Sequence, residues 1–187
     1  KPGTNYEYRI VPQKEWTEKQ QFSTETAHDE FSWLWFGDIH HSPQWGKLAN
    51  EAFLQHPDVS FVSVAGDLVS DGREKDHWTG HFFPNMAPLN TRVPLVPILG
   101  NHENDSHYFY DYFTLPDPEY HYQFDYGDLS VFMLDSQKSF RKSSEDYQWL
   151  DAHLGRSKAT WKIVMLHKPA YSSDEDDYGD TSEVRSV

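Results

Sequence analysis

The feature that most constrains the fold of this chain is a pattern that occurs four times: a short apolar segment ends in residues that bind metals or transfer protons. The four clusters are GDIH (37–40), GD (66–67), GNHE (100–103) and the histidine at position 167. The glycine that opens each of the first three lets the backbone turn tightly and approach a neighbouring segment. The pattern therefore predicts buried strands whose polar ends gather in one place.

The intervals between these segments predict an α/β fold. Asp38 and Asp67 are 29 residues apart, and Asp67 and Asn101 are 34 apart, which suits one strand–helix–strand unit in each case. Alternating strands and helices predict parallel pairing in a layered α/β domain, and we expect the strand at 33–36 to be the central one. Ser42-Pro43 is typical of a helix start, and residues 74–83 predict a second helix. The apolar face of the first helix consists of Trp45, Leu48, Ala49, Ala52 and Phe53.

The rest of the chain contains further strand and helix signals. Residues 1–26 alternate polar and apolar side chains after a Pro-Gly turn, which predicts a β-hairpin. Residues 120–136 predict a second hairpin that turns at 127–128. Ser143 or Ser144 is suited to cap a helix that ends at Gly155, and residues 161–167 predict a last buried strand.

The strand-end residues predict a two-metal site. Carboxyl ends of parallel strands lie at the same edge of a sheet, where ligands bind. Cysteine is absent, so imidazole and carboxylate are the ligands left for a transition metal such as Zn, Fe or Mn. One carboxylate can bridge two cations held roughly 3.5–4 Å apart, which is a common arrangement in phosphate chemistry.

Charge and hydropathy exclude several classes of partner. The 16 Lys and Arg residues against 30 Asp and Glu residues give a net charge of −14, which repels nucleic-acid duplexes and anionic membranes. No apolar run approaches the roughly 20 residues that a membrane span requires. We therefore expect neither a nucleic-acid duplex nor a membrane span, and the sequence leaves the oligomeric state open.

Four motifs in order, GDIH, GDLVSDG, GNHE and VMLHKPAY, resemble the calcineurin-like metallophosphoesterase superfamily. The flanking segments KPGTNYEYRI, YQFDYGDLSVFMLDS and YQWLDAHL are similar to its purple acid phosphatase branch. The resemblance implies a layered α/β-β/α sandwich over residues 28–187, preceded by the last strands of a fibronectin-III-like domain over residues 1–27. It also implies a small-molecule phosphate ester as substrate and favours an extracytoplasmic or secreted location.

The resemblance also implies a role for each site residue. The ligands of the first metal would be Asp38 and His40, those of the second would be Asn101 and His167, and Asp67 would bridge the two; His102 would be the catalytic acid. The implied reaction is phosphomonoester hydrolysis, in which a hydroxide that bridges two metal ions attacks phosphorus and His102 assists the leaving group. The alternatives are a phosphodiesterase acting on nucleotides or lipid headgroups, and a non-catalytic binding or adhesion module with a vestigial metal site.

Two departures from the family pattern matter. Purple enzymes carry a tyrosine ligand three residues after the bridging aspartate, where this chain has Ser70, and a glycine where it has His40. We therefore expect no ferric-tyrosinate colour. The closing Gly-His-x-His motif of the family is also absent before Val187. We expect the chain to be part of a longer protein and to bind its second metal weakly by itself.

The remaining histidines and three further segments lie outside the four motifs. His41 is expected to be a rim residue, and the expected roles of the other histidines outside the motifs are in surface or packing positions. The aromatic cluster at 107–113 is expected to pack and to form a pocket wall. The acidic segment at 174–180 lacks the glutamate of a calcium loop and is interpreted as a solvated loop. The glycosylation sequon at Asn104 is interpreted as a chance match.

Overall fold

The computed structural model describes residues 1–11, 17–24 and 30–172. The strands in these ranges are β1 (Asn5–Tyr8), β2 (Gln20–Ser23), β3 (Trp33–Phe36), β4 (Phe61–Ala65), β5 (Leu95–Ile98), β6 (His121–Tyr126), β7 (Leu129–Leu134) and β8 (Trp161–Leu166). The α-helices are α1 (Trp45–Gln55), α2 (Phe83–Asn90), α3 (His107–Tyr112) and α4 (Glu145–Arg156), and a π-helical segment (His77–Phe82) leads directly into α2. None of the helices in the described ranges is long and apolar enough to cross a membrane.

The first large sheet has the order β3-β4-β5, and all its strands are parallel. The predicted parallel pairing is confirmed, but the predicted central strand is wrong. β4 lies in the middle and all five of its residues are buried, whereas β3 lies at an edge of this sheet and its Trp35 is 63% exposed. Strand order depends on long-range pairing, which the apolar character of β3 does not reveal.

The second large sheet has the order β6-β7-β8. β6 and β7 form the predicted antiparallel hairpin, and β8 pairs in parallel with β7 after the crossover through α4. The expectation that all strand ends share the edge of one sheet is therefore wrong, because β8 brings position 167 from a different sheet. β8 is also less buried than predicted, with Trp161 exposed at its start.

Three apolar clusters hold the layers together. The middle cluster lies between the two sheets and joins Phe61 and Ile98 of the first to Val131 and Met133 of the second. An outer cluster packs α1, α2, α3 and the π-helical segment against the first sheet, and another packs Leu150 of α4 against the second. The order helix, sheet, sheet, helix is the layered α/β-β/α arrangement that the resemblance implied.

The helices confirm part of the sequence prediction. Ser144 caps α4 by accepting a hydrogen bond from the Tyr147 amide, but α4 continues past Gly155 to Arg156. α1 begins after the Ser42 carbonyl accepts a hydrogen bond from the Trp45 amide, and in the described part of the chain no side chain caps it. Leu48, which was predicted to face the core, is 58% exposed. The helix predicted at 74–83 extends to residue 90.

The amino-terminal hairpin is also confirmed, because β1 and β2 pair antiparallel along their whole length. The Tyr8 hydroxyl donates a hydrogen bond to the Thr91 carbonyl at the end of α2, so the hairpin contacts the α/β layers. The predicted domain boundary at residue 27 and the acidic segment at 174–180 lie outside the described residues. The fibronectin-III-like origin of the hairpin stays a prediction.

Candidate metal centre

The loops after β3 and β4 place three site residues in an unusual backbone conformation. Asp38, His40 and Asp67 all have positive φ angles, of 52°, 49° and 53°. Such left-handed conformations cost on the order of 1–3 kcal/mol each in residues other than glycine, and they concentrate at functional sites. The two loops hold each other: the Asp38 amide donates to the Gly66 carbonyl at 3.2 Å, and the His40 amide donates to the Asp67 carbonyl at 3.0 Å.

Two glycines permit the close approach of the loops. A Cβ atom on Gly66, whose φ is +81°, would lie 2.7 Å from Cγ of His167. A Cβ atom on Gly100 would lie 2.2 Å from Oδ1 of Asp67. Because both distances are far below van der Waals contact, any other residue at either position would displace a site side chain. This is the physical reason for the glycines that open the second and third clusters.

Asp67 lies close to three of the site histidines. Its Oδ2 lies 3.3 Å from Nε2 of His167, 3.5 Å from Nε2 of His40 and 3.9 Å from Nε2 of His102. Its Oδ1 accepts a hydrogen bond of 2.9 Å from the His102 amide. One buried carboxylate is thus within reach of three imidazoles, which is the position that a bridging ligand requires.

Two imidazoles are oriented by backbone carbonyls. Nδ1 of His167 lies 2.8 Å from the Ala65 carbonyl oxygen, and Nδ1 of His102 lies 2.7 Å from that of Ser70. When Nδ1 carries the proton and donates it to a carbonyl, the Nε2 lone pair is left to bind a metal. Metal-binding histidines are commonly held in this way.

The remaining ligand candidates complete the set of donors. Oδ1 of Asn101 lies 3.1 Å from Nε2 of His167, and Oδ1 of Asp38 lies 3.8 Å from Nε2 of His40. Within the described ranges, two groups of three side chains have ligand atoms within 4.8 Å of one another, and both groups contain Asp67: one is His40, Asp67 and His102, and the other is Asp38, Asp67 and His167.

This grouping differs from the pairing that the resemblance implied. All six predicted residues come together, but Asp38 falls in the group that contains His167, while His40 falls in the group that contains His102, and the rings of His40 and His102 are in edge-to-face contact at 4.5 Å. Asp38 is also 71% exposed, whereas Asp67 is buried. The assignment of each residue to one of two metals stays a prediction.

The pKa shifts match a site that attracts cations. Burial acts to lower the pKa of His167, but the Asp67 carboxylate and the Ala65 carbonyl raise it to about 9. Burial acts to raise the pKa of Asp67, but hydrogen bonds from His167 and from the His102 amide outweigh it, so this pKa lies below its ordinary value. In the metal-free protein an imidazolium therefore supplies the positive charge that the carboxylate requires. Carboxylate, imidazole and amide oxygen around one point also form a donor set that fits Zn, Fe or Mn.

Glu103 connects two of the clusters, a role that its place in the sequence did not predict. Its fully buried carboxylate accepts hydrogen bonds from the amides of Asp67, Gly100 and Val69, at 2.8, 2.7 and 3.2 Å. Burial raises its pKa to about 7, although these amides favour the charged form. Glu103 thus joins the backbones of the second and third clusters.

Several histidines outside the motifs lie in packing positions. The ring of His41 contacts those of His77 and His81, at centroid distances of 3.9 and 4.2 Å, and its buried Nε2 has no hydrogen-bond partner in the described part of the chain. The buried His121 is within 2.6 Å of Asp146. The cluster at 107–113 forms α3, whose Phe109 is buried.

Known proteins with similar sequences are phosphoesterases. Residues 31–186 match the family model described as calcineurin-like phosphoesterase. The chain is 26% identical over 207 residues to Purple acid phosphatase 21 of Arabidopsis thaliana, covering all of this chain and 46% of the relative. It is 34% identical over 114 residues to Purple acid phosphatase 15 of the same plant, covering 52% of this chain and 21% of the relative.

A solved structure has a similar fold. The structure of a purple acid phosphatase from yellow lupin (Lupinus luteus) seeds superposes with a TM-score of 0.79 at 20% identity, covering 93% of this chain and 38% of that chain. The chain therefore spans about half the length, or less, of the relatives it matches. Because the family model covers most of the sequence and the fold agrees with it, the chain belongs to the calcineurin-like phosphoesterase family.

Proposed function

We propose that this chain forms the metal-binding part of a phosphoesterase that hydrolyses small phosphomonoesters. The observation that carries the proposal is the position of Asp67, whose Oδ2 has three imidazole nitrogens within 3.9 Å. A buried carboxylate with several imidazole nitrogens around it is the donor arrangement that two cations with a shared ligand require. Relatives of this chain are named purple acid phosphatases, and this similarity supports a phosphomonoesterase over a phosphodiesterase.

The ligands divide into two sets that share Asp67. Asp38 and His40 would hold one cation, and Asn101 and His167 would hold the other. When bound, two such cations supply positive charge for the phosphoryl oxygens and lower the pKa of a bound water. Iron, zinc and manganese all suit these ligands.

His102 has the orientation of a general acid. Its Nδ1 is held by the Ser70 carbonyl, so its Nε2 faces the site, and the side chain is 42% exposed and accessible to substrate. In the protonated ring both nitrogens carry a hydrogen, so Nδ1 can keep its hydrogen bond to the Ser70 carbonyl while the Nε2 proton passes to the leaving alkoxide as the ester bond breaks. Such a positioned acid contributes typically about 10²–10⁴-fold to the rate.

The test is hydrolysis of an aryl phosphate monoester, compared with the matching diester, by the full-length protein supplied with Mn²⁺ or Zn²⁺. We expect the monoester to react faster. His102→Asn should lower kcat by about 10²–10⁴-fold and leave the metal content unchanged. No hydrolysis of either ester, together with unchanged metal content in Asp67→Ala, would reject the proposal. Faster hydrolysis of the diester would show instead that the protein is a phosphodiesterase.

An extracytoplasmic location belongs to the same proposal, because it rests on the purple acid phosphatase relatives. Fractionation of the source cells with an antibody against the chain tests it. Recovery in the secreted or cell-wall fraction would agree, and recovery with cytosolic markers would contradict it.

A further inference from the structure

The two donors that meet at the second half of the site come from different sheets. Asn101 follows β5 of the first sheet and His167 follows β8 of the second, yet Oδ1 of one lies 3.1 Å from Nε2 of the other. Metal affinity depends on ligand positions held to within a few tenths of an ångström. The spacing of these two donors therefore depends on contacts that fix one loop relative to the other.

Residues 135–138, which we call the β7 loop, contact both sides. The Ser136 hydroxyl accepts a hydrogen bond of 3.0 Å from the amide of Lys168, the residue directly after His167. Nζ of Lys138 donates a hydrogen bond of 3.0 Å to Oδ2 of Asp105, four residues after Asn101. Two residues of one short loop thus contact the segments that follow the two donors, one through a backbone amide and one through a carboxylate.

The β7 loop is itself well fixed. Asp135 is buried, and its Oδ1 accepts a hydrogen bond of 2.8 Å from the Gln137 amide. The Lys138 amide donates to the Asp135 carbonyl at 3.1 Å, and Nζ of Lys138 lies 3.9 Å from Oδ2 of Asp135. The ammonium group also lies over the ring of Tyr120 at 5.2 Å. A loop held at this many points can transmit the position of β7 to its neighbours.

The turn that Lys138 contacts has a strained backbone. Asn104 and Asp105 both have positive φ angles, of 54° and 49°. The Asp105 carboxylate is shared between Lys138 and the Tyr110 hydroxyl. Without these partners, the strained turn after the GNHE cluster has fewer contacts to keep it in place.

We infer that Ser136 and Lys138 are positioning residues for the second metal, which set the distance between Asn101 and His167 without binding the metal themselves. The inference rests on the proposed function, because it takes these two residues as ligands of that metal. Neither side chain is seen in contact with a donor atom: Ser136 acts through the Lys168 amide beside His167, and Lys138 acts through the Asp105 carboxylate in the turn that follows Asn101. Outer contacts of this kind typically change metal affinity by about 10–100-fold when they are removed. Lys138 is one-third exposed, so the lower end of that range applies.

The experiment measures Zn²⁺ affinity by titration calorimetry in two backgrounds. His40→Ala weakens the first site, so the second can be followed; His167→Ala does the reverse. In the His40→Ala background, Lys138→Met should weaken binding by about tenfold. In the His167→Ala background it should change binding less than about twofold. Lys138→Met keeps most of the aliphatic length of the side chain and removes its charge.

A second variant and a matched control exclude a general loss of structure. Ser136→Ala removes the hydrogen bond to the Lys168 amide and should also lower the Zn²⁺ affinity of the second site only. Lys142→Met changes an exposed lysine a few residues further along the same connection and should change the affinity of neither site. The inference would be overturned if Lys138→Met and Ser136→Ala lowered the Zn²⁺ affinity of both sites equally, or lowered neither. Either result would leave the proposed function standing. A protein that binds no Zn²⁺ at all would overturn both.

Discussion

Nε2 of His167 lies 3.3 Å from Oδ2 of Asp67, although the two residues are 100 positions apart and follow strands of different sheets. This contact joins the two halves of the metal centre across the interface of the sandwich. It also accounts for the opposite pKa shifts of the two groups, since each stabilises the charged form of the other.

Asp67→Asn should remove metal from both halves of the site, because both groups of candidate ligands contain this carboxylate. An amide of the same size keeps the shape and loses the charge. We expect metal content to fall to background and kcat to fall by at least about a hundredfold. Elemental analysis of the purified variant checks the first result. The matched control is Asp58→Asn at an exposed position, and retention of one full equivalent by Asp67→Asn would contradict the bridging role.

Glu103→Gln should destabilise the fold. The three backbone amides that donate to this carboxylate cannot all be satisfied by a side chain with only one acceptor oxygen. Leaving a buried amide unpaired costs about 1–3 kcal/mol of the free energy of unfolding. Urea denaturation in the presence of EDTA measures it, with the exposed Glu51→Gln as the control. An unchanged midpoint would show that these bonds contribute nothing.

Asp135 should make stability depend on pH. Burial raises its pKa to about 6, against the Gln137 amide and Lys138, which favour the charged form. Because the folded pKa lies above the unfolded value, this group stabilises the fold fully below about pH 4, and its contribution is lost as pH rises towards 6. The full change is up to about 3 kcal/mol. Asp135→Asn should therefore gain stability relative to the parent between pH 4.5 and 7, in denaturation curves with EDTA; a constant difference would contradict this.

Ser144→Ala should lower the free energy of unfolding by about 1 kcal/mol, because it removes the side chain that accepts a hydrogen bond from the Tyr147 amide at the start of α4. Ser143→Ala is the natural control, since sequence alone left the two serines as alternatives. We expect it to be nearly neutral. Thermal melts of both variants give the comparison, and equal effects would mean that the cap is not specific to Ser144.

The iron-loaded protein should lack a visible tyrosinate-to-iron charge-transfer band, because Ser70 occupies the position at which purple enzymes carry a tyrosine ligand. The Ser70 carbonyl accepts a hydrogen bond from His102 in this structure. Absorption spectra after loading with ferric iron check the expectation. A band in the parent protein would mean that another tyrosine reaches the metal.

Local patterns in the sequence indicated which residues come together at the candidate site. Asp38, Asp67 and His102 were recognisable because each follows an apolar strand within a short cluster, and strand ends in α/β folds collect ligands. The glycines were predictable for a similar reason, since only a residue without a Cβ permits the approach seen at Gly66 and Gly100. The hairpins, α1 and α4 were predictable from periodicity together with turn and cap residues, whereas α3 was not.

The tertiary structure alone decided how these residues meet. It placed β4 rather than β3 at the centre, put β8 in a second sheet, and set His102 beside His40. It also buried Glu103 among backbone amides and brought the β7 loop to Asp105. These facts depend on strand order and on the packing of two sheets, which are set by the free energy of contacts between residues far apart in the chain. A pattern of period two or 3.6 gives the buried face of an element, but it does not specify which other element covers that face.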